Sequence, residues 1–100
     1  MAVAQAWRQA APGPMIDGPV GLVVRAYFPF LKSHTKRFRA LGDAAMKSTK
    51  PDADNVGKLV MDALNSIAWV DDALVVDLLV HKRFSDTPRL EIEVYRRGGD

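Results

Sequence analysis

KPDADNVGKLVMDALNSIAWVDD, residues 50 to 72, opens on two aspartates two residues apart, passes into a stretch of helical period and closes on a second acidic pair. Within it Val56, Leu59, Val60, Ala63, Leu64 and Ile67 recur at i, i+3, i+4, i+7, i+8 and i+11, the apolar stripe of an amphipathic helix. Asn55, Lys58, Asp62 and Asn65 occupy its other face, and Asp54 stands where an N-cap would accept backbone N–H groups.

Outward from this helix the period changes to two. In PVGLVVRAYF, residues 19 to 28, Val20, Leu22, Val24, Ala26 and Phe28 share one face while Arg25 and Tyr27 take the other, which predicts a strand ended by Pro29. ALVVDLLVHKR, residues 73 to 83, predicts a second strand, and Leu90, Ile92 and Val94 alternating with Glu91, Glu93 and Tyr95 predict a third. Residues Arg83 to Pro88 are expected to form a hairpin loop between them. Residues 3 to 11 (VAQAWRQAA) are good helix formers, with Val3, Trp7 and Ala10 on one face, stopped by Pro12-Gly13-Pro14. From Ser33 to Lys50 the pattern weakens to Phe38, Leu41 and Ala45, interrupted by Gly42, which reads as a mobile loop with a helical turn or two. The order helix, strand, loop, helix, strand, strand predicts an α+β fold, a small mixed β-sheet with helices packed on one face.

At 100 residues and 11.0 kDa, with 48% hydrophobic and 26% charged residues, the chain is expected to be one domain over residues 1–100 with one core. It contains no cysteine, which excludes disulfides, thiolate catalysis and thiolate metal sites and fits a reducing cytoplasm. No apolar run approaches the ~20 residues of a membrane span, and MAVAQAWRQAAPG lacks the apolar core of a signal peptide. A cytoplasmic protein with no membrane partner is the expectation. The sequence shows no GxGxxG, no Walker lysine loop and no GxSxG.

Net charge is only +2, yet it is unevenly spread. Residues 31 to 50 carry Lys32, Lys36, Arg37, Arg39, Lys47 and Lys50 against Asp43, a local +5, whereas residues 51 to 77 carry six aspartates against Lys58, a local −5. One segment suits a polyanion and the next suits divalent cations. Asp52 and Asp54 would point the same way in an extended segment, and a return from Ile67 to Asp72 is long enough to bring Asp71 and Asp72 back beside them. Carboxylates without thiolates or clustered imidazoles suit a hard cation such as Mg²⁺. Two such ions can activate a water and stabilise the leaving oxygen in phosphodiester hydrolysis. Lys58, one turn after Asp54, would supply a fixed positive charge to the same phosphate.

Spacing alone leaves a second reading open. Asp54 would then be an N-cap worth about 1 kcal/mol, Asp52 a turn residue beside Pro51, and Asp71-Asp72 a solvated turn, with Lys58 paired to Asp54 or Asp62. His34 and His81 have no neighbouring ligands and read as loop or sheet-surface residues. Trp7 and Trp69 read as core or interface residues, and Lys82 as either a solvated lysine or one that faces the acidic site.

The ordered combination K-P-D-A-D-N-x-x-K-x-x-x-D-A-L-N, W-x-D-D and V-V-D-x-x-V-x-K, preceded by GPVGLVVRAYFP and a lysine-rich loop, closely resembles the signature of the RusA-like Holliday-junction resolvases over about residues 17 to 96. The resemblance implies a homodimer that binds four-way junction DNA and makes paired nicks in strands of like polarity, in a bacterial or phage-infected cell, with Mg²⁺ as cofactor and Mn²⁺ as a substitute. By the same resemblance Asp52, Asp54 and Asp72 are the metal-binding catalytic acids, Asp71 the adjacent acid and Lys58 the motif lysine. Lys32, Lys36, Arg37, Arg39, Lys47, Lys50 and Lys82 are expected to contact DNA. Two departures stand out. The chain starts at about the family's first helix, so a preceding strand is expected to be missing, which raises the alternative of a noncatalytic DNA-binding or dimerisation remnant. Leu74 also stands where the family places a polar residue after the acidic pair.

Overall fold

The computed structural model describes residues 3–10 and 12–98. Three helices and three strands follow one another as α1 (Val3–Gln9), β1 (Val20–Pro29), α2 (Lys36–Arg39), α3 (Ala53–Leu64), β2 (Val75–Ser85) and β3 (Arg89–Arg96), with 3₁₀ turns at Gly42–Ala44 and Asp72–Leu74. The mixed three-stranded sheet and its helices bear out the α+β reading. The helix expected over residues 3 to 11 spans Val3–Gln9, and Ala11 lies outside the described residues.

β1 is the centre of the sheet, in the order β2-β1-β3, parallel to β2 and antiparallel to β3. Its alternation explains the position: Val20, Leu22, Val24 and Ala26 are all buried, and only a strand covered on one face and paired along both edges hides every second residue this completely. Together with Val56, Val60, Leu64, Ala68 and Trp69 these residues form the core, each aliphatic side chain contributing about 1.5–3 kcal/mol of burial. Val3 and Trp7 of α1 pack against it from the same side.

The central place of β1 corrects the expected hairpin. β2 and β3 are not hydrogen-bonded partners but flank β1, so Asp86–Pro88 must cross two strand spacings, roughly 10 Å, a distance that three extended residues cover. Alternation alone could not reveal this, because a flanking strand and a hairpin partner have the same period.

α3 lies against β1 and β2, and Gly57 permits its close approach: a Cβ there would stand 2.9 Å from Leu78 Cδ2 and 3.2 Å from Val80 Cγ2. The helical stripe is narrower than the spacing indicated. Val56, Gly57, Val60 and Leu64 are buried, whereas Leu59 is 64% exposed, because the glycine, not Leu59, faces the sheet. On the opposite sheet face the described residues place no helix. Ion pairs occupy it: Arg25 with Glu93, Arg89 with Glu91 at 2.7 Å and Asp77 with Arg97 at 2.6 Å, while Arg89 stacks 4.0 Å from the Tyr27 ring centroid.

Residues 33 to 50, expected as a mobile loop with a helical turn or two, carry those turns in α2 and at Gly42–Ala44, and residues 30 to 47 are tied down as a compact knot of side chains. Thr35 caps α2 by accepting from the Phe38 N–H at 3.1 Å. Phe30, His34, Phe38 and Phe84 pack ring against ring with centroids 4.6–6.0 Å apart. Lys47 N donates to Lys82 O at 3.1 Å and Phe84 N to Ala45 O at 2.8 Å, so this segment clips onto the outer edge of β2 at its C-terminal end. Among the described residues no helix is long and apolar enough to cross a membrane.

Candidate metal centre and nucleic-acid interface

The N-terminal end of α3 carries the first acidic pair. Asp52, not Asp54, holds the N-cap position, in extended backbone geometry, with Asp54 inside the first turn. The Asp52 side chain makes no capping hydrogen bond. Its carboxylate, half exposed, pairs with Lys50 at 2.9 Å. Neither aspartate caps the helix: the residue in the cap position makes no side-chain hydrogen bond to the first-turn N–H groups, and the other lies inside the first turn. Lys58 is exposed and forms no ion pair among the described residues.

Lys82 reaches this end from β2. Its Nζ donates to the carbonyls of Thr49 and Pro51, both at 2.7 Å, which fastens the loop that presents Asp52. The Lys50–Pro51 peptide within that loop is cis. Of the two readings of Lys82, the structure selects the one that faces the acidic end, although its amine is engaged by backbone.

The second acidic pair is at the other end of the helix. Asn65 ends α3 and Ser66 takes a positive φ of 61°, turning the chain back sharply. Asp72 N then donates to Asn65 Oδ1 at 3.1 Å, and the buried Trp69 donates its Nε1–H to Asp72 Oδ1 at 2.8 Å. Asp72 is thus oriented by two partners, with one carboxylate oxygen engaged by the indole, while Asp71 is exposed. These bonds correct the expected return. The segment from Ile67 to Asp72 closes on the C-terminal end of α3, and the helix between Asp54 and Asn65 keeps the two acidic pairs roughly 16 Å apart. Among the described residues no three carboxylates or imidazoles gather as a ligand set.

The donor chemistry at the start of α3 nevertheless suits a hard cation. Mg²⁺ is commonly held by one or two carboxylates, with water and substrate phosphate completing the shell, and Asp52 with Asp54 offers such a pair of oxygen donors. Asn65 and Trp69 as the groups that aim Asp72 were not apparent from sequence. The indication was there in the D-A-L-N and W-x-D-D stretches, where an amide and an indole N–H each stand near the acid.

The basic residues divide by what they touch. Lys32, Lys36 and Arg37 are exposed. Arg39 donates to the Leu31 carbonyl at 2.6 Å and the His34 carbonyl at 3.4 Å and lies over Phe30, so it knots its own loop. Lys47 sits 5.0 and 4.9 Å from the Phe28 and Phe84 ring centroids and donates to Thr49 Oγ1, and Lys50 pairs with Asp52. His34 is part of the aromatic cluster, its Nδ1 accepting from the Leu31 N–H at 2.9 Å. Trp69 is core, as expected, and Leu74 packs against the core.

Carboxylates thus stand at both ends of one helix, and a basic, aromatic-packed segment lies on the same strand that Lys82 joins to its start. The family profile described as Endodeoxyribonuclease RusA matches residues 1–95, and the chain belongs to that family of endodeoxyribonucleases. A curated relative, "Uncharacterized protein YqaN" of Bacillus subtilis (strain 168), is 41% identical over 90 residues, which are 86% of this chain and 63% of the relative. The chain thus spans less than two thirds of that relative's length.

Proposed function

We propose that this chain is a Mg²⁺-dependent endodeoxyribonuclease that resolves four-way DNA junctions by paired phosphodiester hydrolysis, acting as a homodimer in the cytoplasm of a bacterial or phage-infected cell. The observation that carries it is the pair of exposed aspartates at the start of α3, Asp52 in the cap position without a capping hydrogen bond and Asp54 within the first turn, in a chain of the RusA family.

In this reading Asp52 and Asp54 hold the cation at the start of α3, Asp72 with Asp71 offers acidic oxygens at the helix's other end, and Mn²⁺ can replace Mg²⁺. The bound cation would lower the pKa of an attacking water and neutralise phosphate charge. Lys58, one turn into α3, places an ammonium against the same phosphate. Lys82 keeps the Asp52 loop in place through the Thr49 and Pro51 carbonyls, and Trp69 and Asn65 aim Asp72. Lys32, Lys36 and Arg37 supply backbone contacts to DNA, joined by Arg39, Lys47 and Lys50 at the surface of the knot.

The test is cleavage of a synthetic four-way junction in Mg²⁺. Asp54→Asn should abolish cleavage and leave junction binding in place; cleavage that survives the substitution removes this site. A second reading, a noncatalytic DNA-binding or dimerisation remnant, draws on the separation of the two acidic pairs within one chain. It predicts junction binding without cleavage in either Mg²⁺ or Mn²⁺.

A further inference from the structure

The aromatic knot has a concave side that none of the described residues fills. Its backbone keeps helical angles past the end of α2, with φ −66° at Ala40 and −67° at Leu41, and Leu41 N donates to Phe38 O at 3.1 Å. Leu41 thus stands one turn after Arg37 and Phe38, as Phe38 stands one turn after Thr35, so the four share a side. Gly42, at a φ of 58°, then ends the turn. Thr35, Arg37, Phe38 and Leu41 line an open cavity of about 300 Å³, at the lower end of the volumes that hold a small ligand, about 300–1,000 Å³.

The lining is apolar where it is rigid and cationic where it is free. Phe38 is half-buried, held by the rings of His34, Phe84 and Phe30 at 4.7–6.0 Å, while Leu41 is 54% exposed. Arg37 is exposed and forms no ion pair among the described residues, and the same is true of Lys32 and Lys36 on the same knot. Asp43, the acid nearest in the chain, is taken up by Ser85 and Arg89 and leaves this positive charge uncompensated.

We propose that this cavity takes an unstacked nucleotide of a DNA strand, its base against Phe38 and Leu41 and its phosphate at Arg37. A flat apolar face attached to an anion is what such a lining complements, and aromatic side chains hold bases of any sequence because every base has such a face. In a perfect duplex neighbouring pairs cover the base faces, so only a nucleotide out of the stack can enter. The strand-exchange point of a four-way junction supplies one. Position supports the assignment: the Lys82 carbonyl accepts the Lys47 N–H from the knot, and the Lys82 ammonium holds the loop that presents Asp52. The cavity and the first acidic pair thus hang on one residue. The inference rests on the DNA-binding part of the reading above and is read by binding, without cleavage.

Affinities measured in EDTA for a perfect duplex and for the same duplex with one unpaired thymine test it. The unmodified chain should prefer the second by about 10-fold, the order expected for one base stacked on a side chain. Leu41→Ser should remove that preference and leave duplex affinity and its salt slope unchanged, Leu41→Met should keep it, and Lys36→Ala should weaken both complexes alike. A junction with 2-aminopurine at the exchange point adds a readout on the unmodified chain, which holds even where a variant folds poorly: emission should rise on binding as the base leaves its neighbours. Equal affinity for the two duplexes, a preference that survives Leu41→Ser, or emission that stays quenched on saturation overturns the cavity's role. If the preference and its loss are seen in a chain that cuts nothing in Mg²⁺ or Mn²⁺, the cavity stands and the nuclease reading falls; junction cleavage with no preference removes the cavity alone.

Discussion

Asp72 shows how little a residue type says before its neighbours are known. In the sequence it is one of six aspartates in a short acidic stretch; in the fold an indole and an amide fix it while Asp71 stays in solvent. Asp43 makes the opposite point, an acid put to structural use. The Ser85 hydroxyl and the Arg89 guanidinium both donate to it, and these two hydrogen bonds hold its carboxyl below the ordinary carboxylate range. A carboxyl with a depressed folded pKa contributes stability above its unfolded value, about 4, and loses it as pH falls through the folded value. Asp43→Asn should therefore lower the melting temperature at pH 7, and the difference from the unmodified chain should shrink steadily below about pH 4, measured by thermal melts across pH. A constant difference would show that geometry, not charge, carries the effect. Neither Asp72's fixation nor Asp43's was legible in the sequence, because the partners Ser85 and Arg89 lie more than forty positions from Asp43 and the indole of Trp69 has no sequence mark for its direction.

Elements were far more legible than their contacts. The strand at residues 20 to 29 and the helix at 53 to 64 follow from periods of two and 3.6, since burial on one face imposes the period directly. What periodicity does not encode is the neighbour. The position of β1 between β2 and β3 and the antiparallel run of α3 against β2 depend on which surfaces meet. One glycine records that meeting. Gly57 has Leu78 and Val80 where its side chain would be, so Gly57→Val should destabilise the fold by about 1–3 kcal/mol through overpacking, despite the better helix propensity of valine over glycine. Denaturant unfolding measures it, and an unchanged midpoint would mean that α3 can move off β2. The helix-cap error has a similar origin. Asp52 and Asp54 are both good cap residues, and the choice between them depends on where Pro51 and the Lys82 clamp deliver the chain.

At the scale of the molecule, charge and shape are separated along a body of 48 × 24 × 20 Å. Lys32, Lys36 and Arg37 stand exposed on the aromatic knot, and in the proposed function they meet phosphates. Replacing all three by alanine should weaken junction binding for every junction sequence alike and reduce the slope of log K against log salt by up to about 3. Titration at several salt concentrations gives the slope; a change in sequence preference at constant slope would place these residues against bases instead. The acidic half of the site was legible as chemistry but not as place. Its residues were named by their order in the chain, whereas their distance is set by a tight turn at Ser66 that leaves the second pair behind.

The bond from Trp69 to Asp72 also makes the protein its own optical probe. Trp69 is fully enclosed and its ring nitrogen rests on a carboxylate, while Trp7, the other tryptophan, borders an open cleft of about 570 Å³ between α1 and β3. Emission from Trp69 should sit at shorter wavelength than that from Trp7, and a cation drawing charge from Asp72 should alter the Trp69 band alone. In a Trp7→Phe background, titrating Mg²⁺ into the dye-free protein would then read occupancy at Asp72 as a change in ultraviolet emission, with no DNA present and no bond cut.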